Sequence, residues 1–347
     1  MKILQDYSLT ELKRELEVLT PKMPRYRAQQ IFEWANNYTP FDEMSNLPQD
    51  LRDTLKKDFI DIPLKIEKEL VSKDGTKKYL YQYGEFDFVE AVLIPDKERA
   101  TLCISTQVGC KMNCQFCATA RQGFKRNLDC NEILNIIRSL PEYSQLTNLV
   151  YMGMGEPFDN LDEVLKVLEI LTSDYGYKWS PKRITVSSVG LKKGLERFLN
   201  ESDCHLAISL HNPFAVERQE IMPIEKANHL SDVITLLKQY DWSHQRRVSF
   251  EYICWGGVND TPKHANELVR LLRGLDCRIN LIRFHSDPTP THDSSEDVRA
   301  HLNASNEQNM LWMRDYLSEH GITTTIRRSR GEDILAACGM LVNALNK

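Results

Sequence analysis

Three cysteines in one short stretch carry the strongest chemical signal in this chain. Within Cys103-Ile-Ser-Thr-Gln-Val-Gly-Cys110-Lys-Met-Asn-Cys114-Gln-Phe-Cys117, residues Cys110, Cys114 and Cys117 follow the spacing C-x₃-C-x₂-C. Four of the nine cysteines fall here, and no nearby fourth ligand completes a set, Cys130 being the next. Zinc sites usually pair two C-x₂-C arms, and closed iron–sulfur sites use four thiolates. Three thiolates in one loop suit a [4Fe–4S] cluster with one iron left open. An open iron can bind a small molecule and pass it an electron. The competing reading is a zinc knob that borrows a distant ligand.

Other residues offer chemistry in less specific patterns. Gly153-Met-Gly155-Glu156-Pro157 is a tight turn after an apolar run. Its glycines would let backbone approach a ligand closely, and the Glu156 carboxylate would suit an ammonium group. Ser187, Ser209 and His211 close two further apolar runs, where they offer hydrogen bonds to a ribose or carboxylate. Taken singly, each is an ordinary strand-end residue. A lone cysteine is usually a small buried hydrophobe, and Cys130, Cys204, Cys254 and Cys277 are assigned that role. Cys338 differs: Ala336-Ala-Cys-Gly339 leaves its thiol uncrowded and open to nucleophilic use. Glu90 sits amid Phe88, Val89, Val92 and Leu93. It is expected to be half-exposed, and it matters only if its strand borders the site.

The elements that must position these residues follow from periodicity. Ser8-Leu-Thr-Glu11 is a capping-box pattern ahead of a helix that Pro21 ends. Further helices are expected near 25–36 and 48–58. This N-terminal unit is either a packing cap or an RNA-docking module. Leu64–Ser72 and Lys77–Tyr83 flank Asp74-Gly75, a hairpin signal, and Phe86–Pro95 is a third strand. From residue 100 the pattern alternates. Strands are expected near 100–106, 148–152, 183–188, 205–210, 248–253, 278–283 and 323–327. Helices are expected near 130–140, 160–172, 191–200, 229–240, 262–273 and 304–319. Six strand–helix units and a last strand imply a parallel sheet with right-handed crossovers. The apolar strands read as buried on both faces. Chemistry on a parallel barrel gathers at the C-terminal strand ends, which is where the unusual residues fall.

At 347 residues, 41% hydrophobic and 27% charged, the composition is that of a soluble globular protein. No apolar run approaches membrane-spanning length, and the N-terminus lacks the apolar centre of a signal peptide. A cytoplasmic, non-membrane protein is expected, with its cysteines serving metal and redox chemistry. The net charge of −5 is awkward for a nucleic-acid partner, but phosphate contacts need only local Lys and Arg. Such segments include Arg121/Lys125/Arg126, Lys182/Arg183, Lys192/Lys193, Arg246/Arg247 and Arg327/Arg328/Arg330. Singly, each reads as a solvated face.

With Phe116 before its last cysteine, the C-x₃-C-x₂-C loop resembles the radical S-adenosylmethionine (SAM) superfamily. The resemblance narrows along the chain. Val89-Glu90-Ala, Cys103–Cys110, Gly123-Phe-Lys-Arg-Asn-Leu128, Met152–Pro157, Ile208–His211, Met222-Pro-Ile224, Gly257-Val-Asn-Asp260, Asn280-Leu-Ile282 and Ala336–Gly339 together resemble the RlmN/Cfr family. These are radical SAM adenine methyltransferases of ribosomal RNA. The match runs in consistent order from about residue 8 to the C-terminus.

That resemblance implies a partial (β/α)₆ barrel rather than a doubly wound sheet. It implies an N-terminal helical accessory domain at 1–60 and a β extension at 61–95. The radical SAM core would span 96–330, and a C-terminal segment at 331–347 would carry a methyl-bearing cysteine. Cys110, Cys114 and Cys117 would hold the cluster. Gly155, Glu156, Ser187, Ser209, Leu210 and His211 would contact SAM. His285 stands where most members have Asn, and an imidazole supplies one donor or acceptor, not an amide's pair.

The chemistry needs these parts because an adenine ring carbon is electrophilic and has no acidic proton, so simple displacement cannot methylate it. In the family, one SAM methylates a thiol, matched by Cys338. A second SAM is cleaved to a radical that takes a hydrogen from that methyl group, and the methylene radical adds to adenine. A second thiol, matched by Cys103, resolves the adduct by forming a disulfide, and Glu90 matches the base. Gly-Glu-Pro157, rather than Gly-Glu-Ala, points to the C2 branch, which acts on adenosine 2503 of 23S rRNA and adenosine 37 of some tRNAs. A flavodoxin-type electron donor and a monomer are expected. Two alternatives stay open: a C8 enzyme of the Cfr type, and a non-catalytic, zinc-stabilised RNA-binding protein.

Overall fold

Ser8 caps the first helix as its spacing predicts. Its Oγ accepts the Glu11 amide at 3.3 Å, and the Glu11 carboxylate accepts the Ser8 amide at 2.8 Å. Two otherwise orphaned donors are thereby satisfied together. A computed structural model describes residues 2–60, 66–243, 245, 247–285 and 302–341. The start of the strand expected from Leu64, Arg246, and residues 342–347 of the C-terminal segment lie outside these.

Strand β1 (Lys2–Ile3) precedes helices α1 (Leu9–Leu19), α2 (Tyr26–Asn36) and α3 (Gln49–Asp58). Strand β2 (Phe59–Ile60) pairs in parallel with β1 and brings the two ends of this unit together. Leu9, Leu12 and Leu16 of α1 are buried at helical spacing. The unit is held to the rest of the chain by polar anchors. Asp6 Oδ1 accepts the Asn131 amide at 2.8 Å, and the Tyr177 hydroxyl donates to the Asn36 carbonyl at 2.9 Å.

Strands β3 (Ile66–Val71), β4 (Lys77–Gln82), β5 (Phe88–Asp96) and β6 (Arg99–Cys103) form an antiparallel meander. The cysteine loop then leaves the sheet as a small ribbon, β7 (Gln107–Gly109) against β8 (Phe124–Asn127), with α4 (Ala118–Arg121) between them. Sequence periodicity gave no sign of this ribbon, because its strands are too short to show alternation.

The remaining strands are β9 (Asn148–Tyr151), β10 (Ile184–Ser188), β11 (His205–Ser209), β12 (Val248–Cys254), β13 (Cys277–Arg283) and β14 (Thr323–Ile326). They are connected by α5 (Cys130–Arg138), α6 (Leu161–Thr172), α7 (Lys192–Glu201), α8 (Ala215–Ile221), α9 (Leu230–Gln239), α10 (Pro262–Leu272) and α11 (Glu307–Glu319). The short α8 was not anticipated either. All pairings from β6 onward in the main sheet are parallel.

Two observations make this a partial barrel. The strand order β6-β9-β10-β11-β12-β13-β14 follows the chain without reversal, whereas a doubly wound sheet reverses at a switch point. Arg327, just past β14, also donates to Met152 Sδ, just past β9, at 3.3 Å. These strands are five positions apart, about 24 Å on a flat sheet, so the sheet must curl. Strands β14 and β3 stay unpaired with each other. The chain after β14 crosses this gap: Asp333 accepts from Ser72 Oγ at 2.5 Å, and the Gly331 amide donates to Asp74 at 3.0 Å.

Strands β11 and β12 are largely buried on both faces as expected, whereas β9, β10 and β13 alternate. Along β10, Ile184 and Val186 are fully buried, while Thr185 and Ser187 stand part-exposed in the lumen. Along β13, Arg278, Asn280 and Ile282 alternate in the same way with buried neighbours. A closed barrel of this kind fills its lumen with branched apolar side chains. Here the outward faces supply the core and the lumen stays polar and partly open.

Candidate active site

The cysteine loop is fixed by its own glycines and by the turn beside it. Gly109 has φ 78°, and a Cβ there would lie 1.8 Å from the Gly123 carbonyl oxygen. Only glycine permits this approach, which forms the ribbon and turns Cys110 inward. The Cys110 amide donates to that same carbonyl at 2.9 Å. The loop then zips against the turn after β9, with the Thr106 amide donating to the Met154 carbonyl at 2.8 Å. A Cβ on Gly153 would meet Ile104 O at 2.6 Å, and one on Gly155 would meet Gln107 Cβ at 2.6 Å. Loop-on-loop packing by itself therefore requires glycine at both positions, and Gly153 and Gly155 also line the cavity described next.

Cys110, Cys114 and Cys117 line one cavity with Gly155, Glu156, Ser187, Ser209, His211 and Cys338. The structure thus brings together the three thiols and most of the residues predicted to surround a ligand. Burial pushes the Cys110 thiol up to about 12 and Cys114 well above its ordinary value, with the neighbouring Cys117 raising both further. Ionising them together calls for a compensating cation. Three thiols from one loop that open into a shared cavity suit a [4Fe–4S] cluster with one iron left open.

Glu156 is buried, and its two oxygens accept the Phe158 and Val189 amides, each at 3.0 Å. Burial raises its pKa to about 7 in spite of these donors. His211 holds a left-handed φ of 56°. Its Nδ1 accepts the Ile253 amide at 3.1 Å, and burial beside Arg218 lowers its pKa to about 3. It is therefore neutral, and its proton must sit on Nε2, the nitrogen left to donate. Phe116 packs edge-on against this ring at 4.8 Å.

Of the two other cysteines given roles, Cys338 lines the cavity and Cys103 is buried outside its wall. The Cys338 thiol is raised by desolvation. Cys103 is buried and pushed up to about 12, first by desolvation and then by Cys338. The Arg327 guanidinium acts on both thiols. The segment around Cys338 is pinned to the cysteine loop: the Ala118 amide donates to Gly339 O at 2.7 Å, and Thr119 Oγ1 donates to Leu341 O at 2.8 Å.

Three predicted residues lie elsewhere. Leu210 is fully buried outside the cavity wall, its amide bonded to Glu251 O at 3.0 Å. Glu90 is 1% exposed, not half-exposed, and does not line the cavity. Its carboxylate pairs with Lys78 Nζ at 3.1 Å, and Lys78 also donates to Leu335 O at 3.3 Å. Glu90 is thereby linked to the segment that carries Cys338. His285 lines a neighbouring cleft, where its Nε2 sits 2.6 Å from Ser329 Oγ. At the thiol cavity the wall of β13 is Ile282 instead.

Sequence reasoning missed one fully buried ion pair and one half-buried one. Arg218 pairs with Glu225 and donates to the carbonyls of Val189, Ser209 and Leu210, which fixes the ends of β10 and β11. Glu251 on β12 pairs with Arg327 at 3.1 Å and accepts from Asn280 Nδ2 at 2.8 Å. An acid among the apolar residues Val248–Cys254 was the available signal for Glu251; nothing in the sequence marked Arg218.

Comparison with known proteins decides the family. The radical SAM superfamily matches residues 104–272. A "probable dual-specificity RNA methyltransferase RlmN" of Phocaeicola vulgatus is 57% identical over 325 residues, covering 93% of this chain and 90% of that protein. The "dual-specificity RNA methyltransferase RlmN" of Campylobacter curvus is 41% identical, covering 98% of this chain and 93% of that one. The chain belongs to the RlmN family. A radical SAM methyltransferase from Sphaerobacter thermophilus has the same architecture, with a TM-score of 0.86 and 35% identity over 98% of this chain and 99% of that one.

Membership of the RlmN family makes the protein a SAM-dependent radical methyltransferase. It implies a [4Fe–4S] cluster and SAM, and the donor set of the cavity fits both. The three thiols face one part of the wall, while Glu156, Ser187, Ser209 and His211 offer polar groups for a zwitterionic nucleoside. No helix among the described residues is long and apolar enough to cross a membrane.

Proposed function

We propose that this protein methylates adenine at C2 in 23S rRNA and in some tRNAs, through a methyl group carried on Cys338. The observation that carries this reading is the placement of Cys338 and Cys103 around Arg327, beside the cavity that holds the three loop thiols. When bound, the cluster and SAM supply one-electron cleavage to a 5′-deoxyadenosyl radical.

Each residue then has a separate task. Cys110, Cys114 and Cys117 hold the cluster. Glu156 takes the ammonium of SAM, His211 donates from Nε2, and Ser187 and Ser209 offer hydroxyls. Gly155 shapes the wall with its backbone, and Leu210 supports the wall residue Glu251 by donating its amide to that residue's carbonyl. The Cys338 sulfur accepts the first methyl group, so two SAM molecules are used per methylation. Cys103 resolves the RNA adduct by forming a disulfide with Cys338. Glu90 is the ring-proton base, tied to the Cys338 segment through Lys78 and Leu335. His285 holds the arginine segment 327–330 through Ser329, instead of touching SAM.

We read residues 1–60 as an accessory unit, 61–95 as a β extension, 96–330 as the radical core and 331–347 as the methyl-carrying segment. The protein acts as a cytoplasmic monomer fed by a flavodoxin-type donor. Nucleoside mass spectrometry after incubation with reconstituted enzyme tests the reading. We expect 2-methyladenosine in rRNA and tRNA; 8-methyladenosine, or no product, would defeat it.

A further inference from the structure

Among the described residues no arginine or lysine is buried as deeply as Arg218, which is 0% exposed. Its guanidinium donates to the carbonyls of Val189 at 3.1 Å, Ser209 at 2.9 Å and Leu210 at 3.0 Å. Tying down carbonyls calls for donors but not for a charge, and a charge stripped of water is costly to keep.

The surroundings of Arg218 give the charge a use. It lies on α8, whose end abuts the cysteine loop. The Gln115 amide donates to the Ile221 carbonyl at 2.9 Å, and Cys114 packs with Ile221 and Met222 in one apolar cluster. Cys114, Met222, Val189 and Ser209 all line the thiol cavity. The guanidinium therefore stands one layer behind the cavity wall, on the side of Cys114. Its charge favours the Cys114 thiolate and works against a protonated His211. The counter-ion Glu225 is drawn to another element. It accepts the Leu230 amide at 3.1 Å, at the start of α9, and sits 3.7 Å from the exposed ring of His229. The pair thus presents its positive end to the thiols. Across the cavity, Arg327 sits with Glu251 and acts on Cys103 and Cys338 instead, where the cavity meets the neighbouring cleft.

We propose that Arg218 is a positioning residue for electron entry, its buried charge raising the affinity of the bound cluster for an electron. This rests on the reading that Cys110, Cys114 and Cys117 hold a [4Fe–4S] cluster. One electron from the donor makes that cluster one charge more negative. A fixed cation in a low-dielectric surrounding favours the more negative form. Guanidinium stays protonated in such a place, whereas a buried lysine readily gives up its proton.

The test uses the full chain with its cluster reconstituted and no SAM. A mediated redox titration, followed by electron paramagnetic resonance, reads the fraction of reduced cluster. Glu225→Gln removes the counter-charge but can still accept the Leu230 amide. It should shift the reduction equilibrium about tenfold toward the reduced cluster, which is about 59 mV for one electron. Arg218→Met/Glu225→Met replaces the pair by uncharged side chains of similar length, a change that buried pairs tolerate. It should shift the equilibrium about threefold the other way. Iron and sulfide content should stay at the parent level in both.

Opposite shifts are what a charge produces, whereas loosened strand ends would move both variants in one direction. Shifts of one sign, or parent-like potentials in both variants, would overturn the proposal. If the double variant holds no cluster, Glu225→Gln decides alone, and an unmoved or more negative potential there overturns the proposal. A parent chain that takes up zinc in place of iron and sulfide would defeat the cluster reading itself, and the proposal with it, so the two failures are distinguishable.

Discussion

On the cluster side of Cys338 the charged residues are stripped of water and tied in pairs, whereas on the far side they keep their water and mostly stand apart. Arg218 with Glu225, and Glu156 with its two amide donors, belong to the first kind, while the buried Glu251 meets the part-exposed Arg327 at the boundary between the two sides. Arg183 and Arg328 of the cleft belong to the second and are exposed. A charge that must hold a small ligand at a fixed distance gains from a low-dielectric surrounding, where its interactions are strong and its position is over-determined. A charge that must grip a long, mobile polyanion gains from solvation, because counterion release needs no single geometry.

The sharpest way to break this contrast is at the thiol that both sides share. Cys338→Ala should abolish methyl transfer to RNA while iron and sulfide content stay at the parent level. Residual turnover within about a hundredfold of the parent would remove Cys338 from its proposed role. Glu90→Gln should slow RNA methylation by about 10²–10⁴-fold, the usual weight of a positioned base. The S-methyl group on Cys338, read by peptide mass spectrometry, should still form. If that group fails to form as well, Glu90 supports the fold of the Cys338 segment rather than removing a proton.

Removing one member of a buried pair tests the cluster side directly. Glu225→Ala leaves Arg218 desolvated without its partner, and about 3–5 kcal/mol of stability should be lost, measured by urea unfolding. Glu156 gives a pH signature. Its raised value of about 7 means that the folded chain keeps a proton that the unfolded chain releases near 4.5. Its contribution is complete below pH 4.5 and is lost as pH rises through 7, by about 3 kcal/mol at ~1.4 per unit. Glu156→Gln in the cluster-free chain should flatten that slope. The cleft should respond least. Asp96 pairs with Arg99 at 3.4 Å and Arg330 at 3.5 Å, all part-exposed, so Asp96→Asn should shift stability by less than about 1 kcal/mol. A larger loss would mean that the cleft's charges are built like those around the cluster.

Much of the molecule was legible before any coordinates. The helix from Ser8, the hairpin at Asp74-Gly75 and the alternating units from residue 100 onward all stand where periodicity placed them, within a few residues. Local signals sufficed because caps, turns and hydrophobic alternation are short-range. The thiol loop and the Gly-Glu-Pro turn were equally legible, since their spacing is itself the chemistry. Where local patterning misled, the cause was a distant neighbour. Glu90 is buried because Lys78 comes across from the next strand.

The linear chain therefore determined the parts: which residues could bind iron, which could carry a methyl group, and which segments would be strand or helix. Only the curled sheet decided that Cys338 would lie between two cavities, with Arg327 reaching from the last strand to Met152. That outcome depends on pairing order and curvature, which bring together residues more than two hundred positions apart. No local pattern encodes such a meeting, because its free energy resides in contacts that exist only once the sheet has curled.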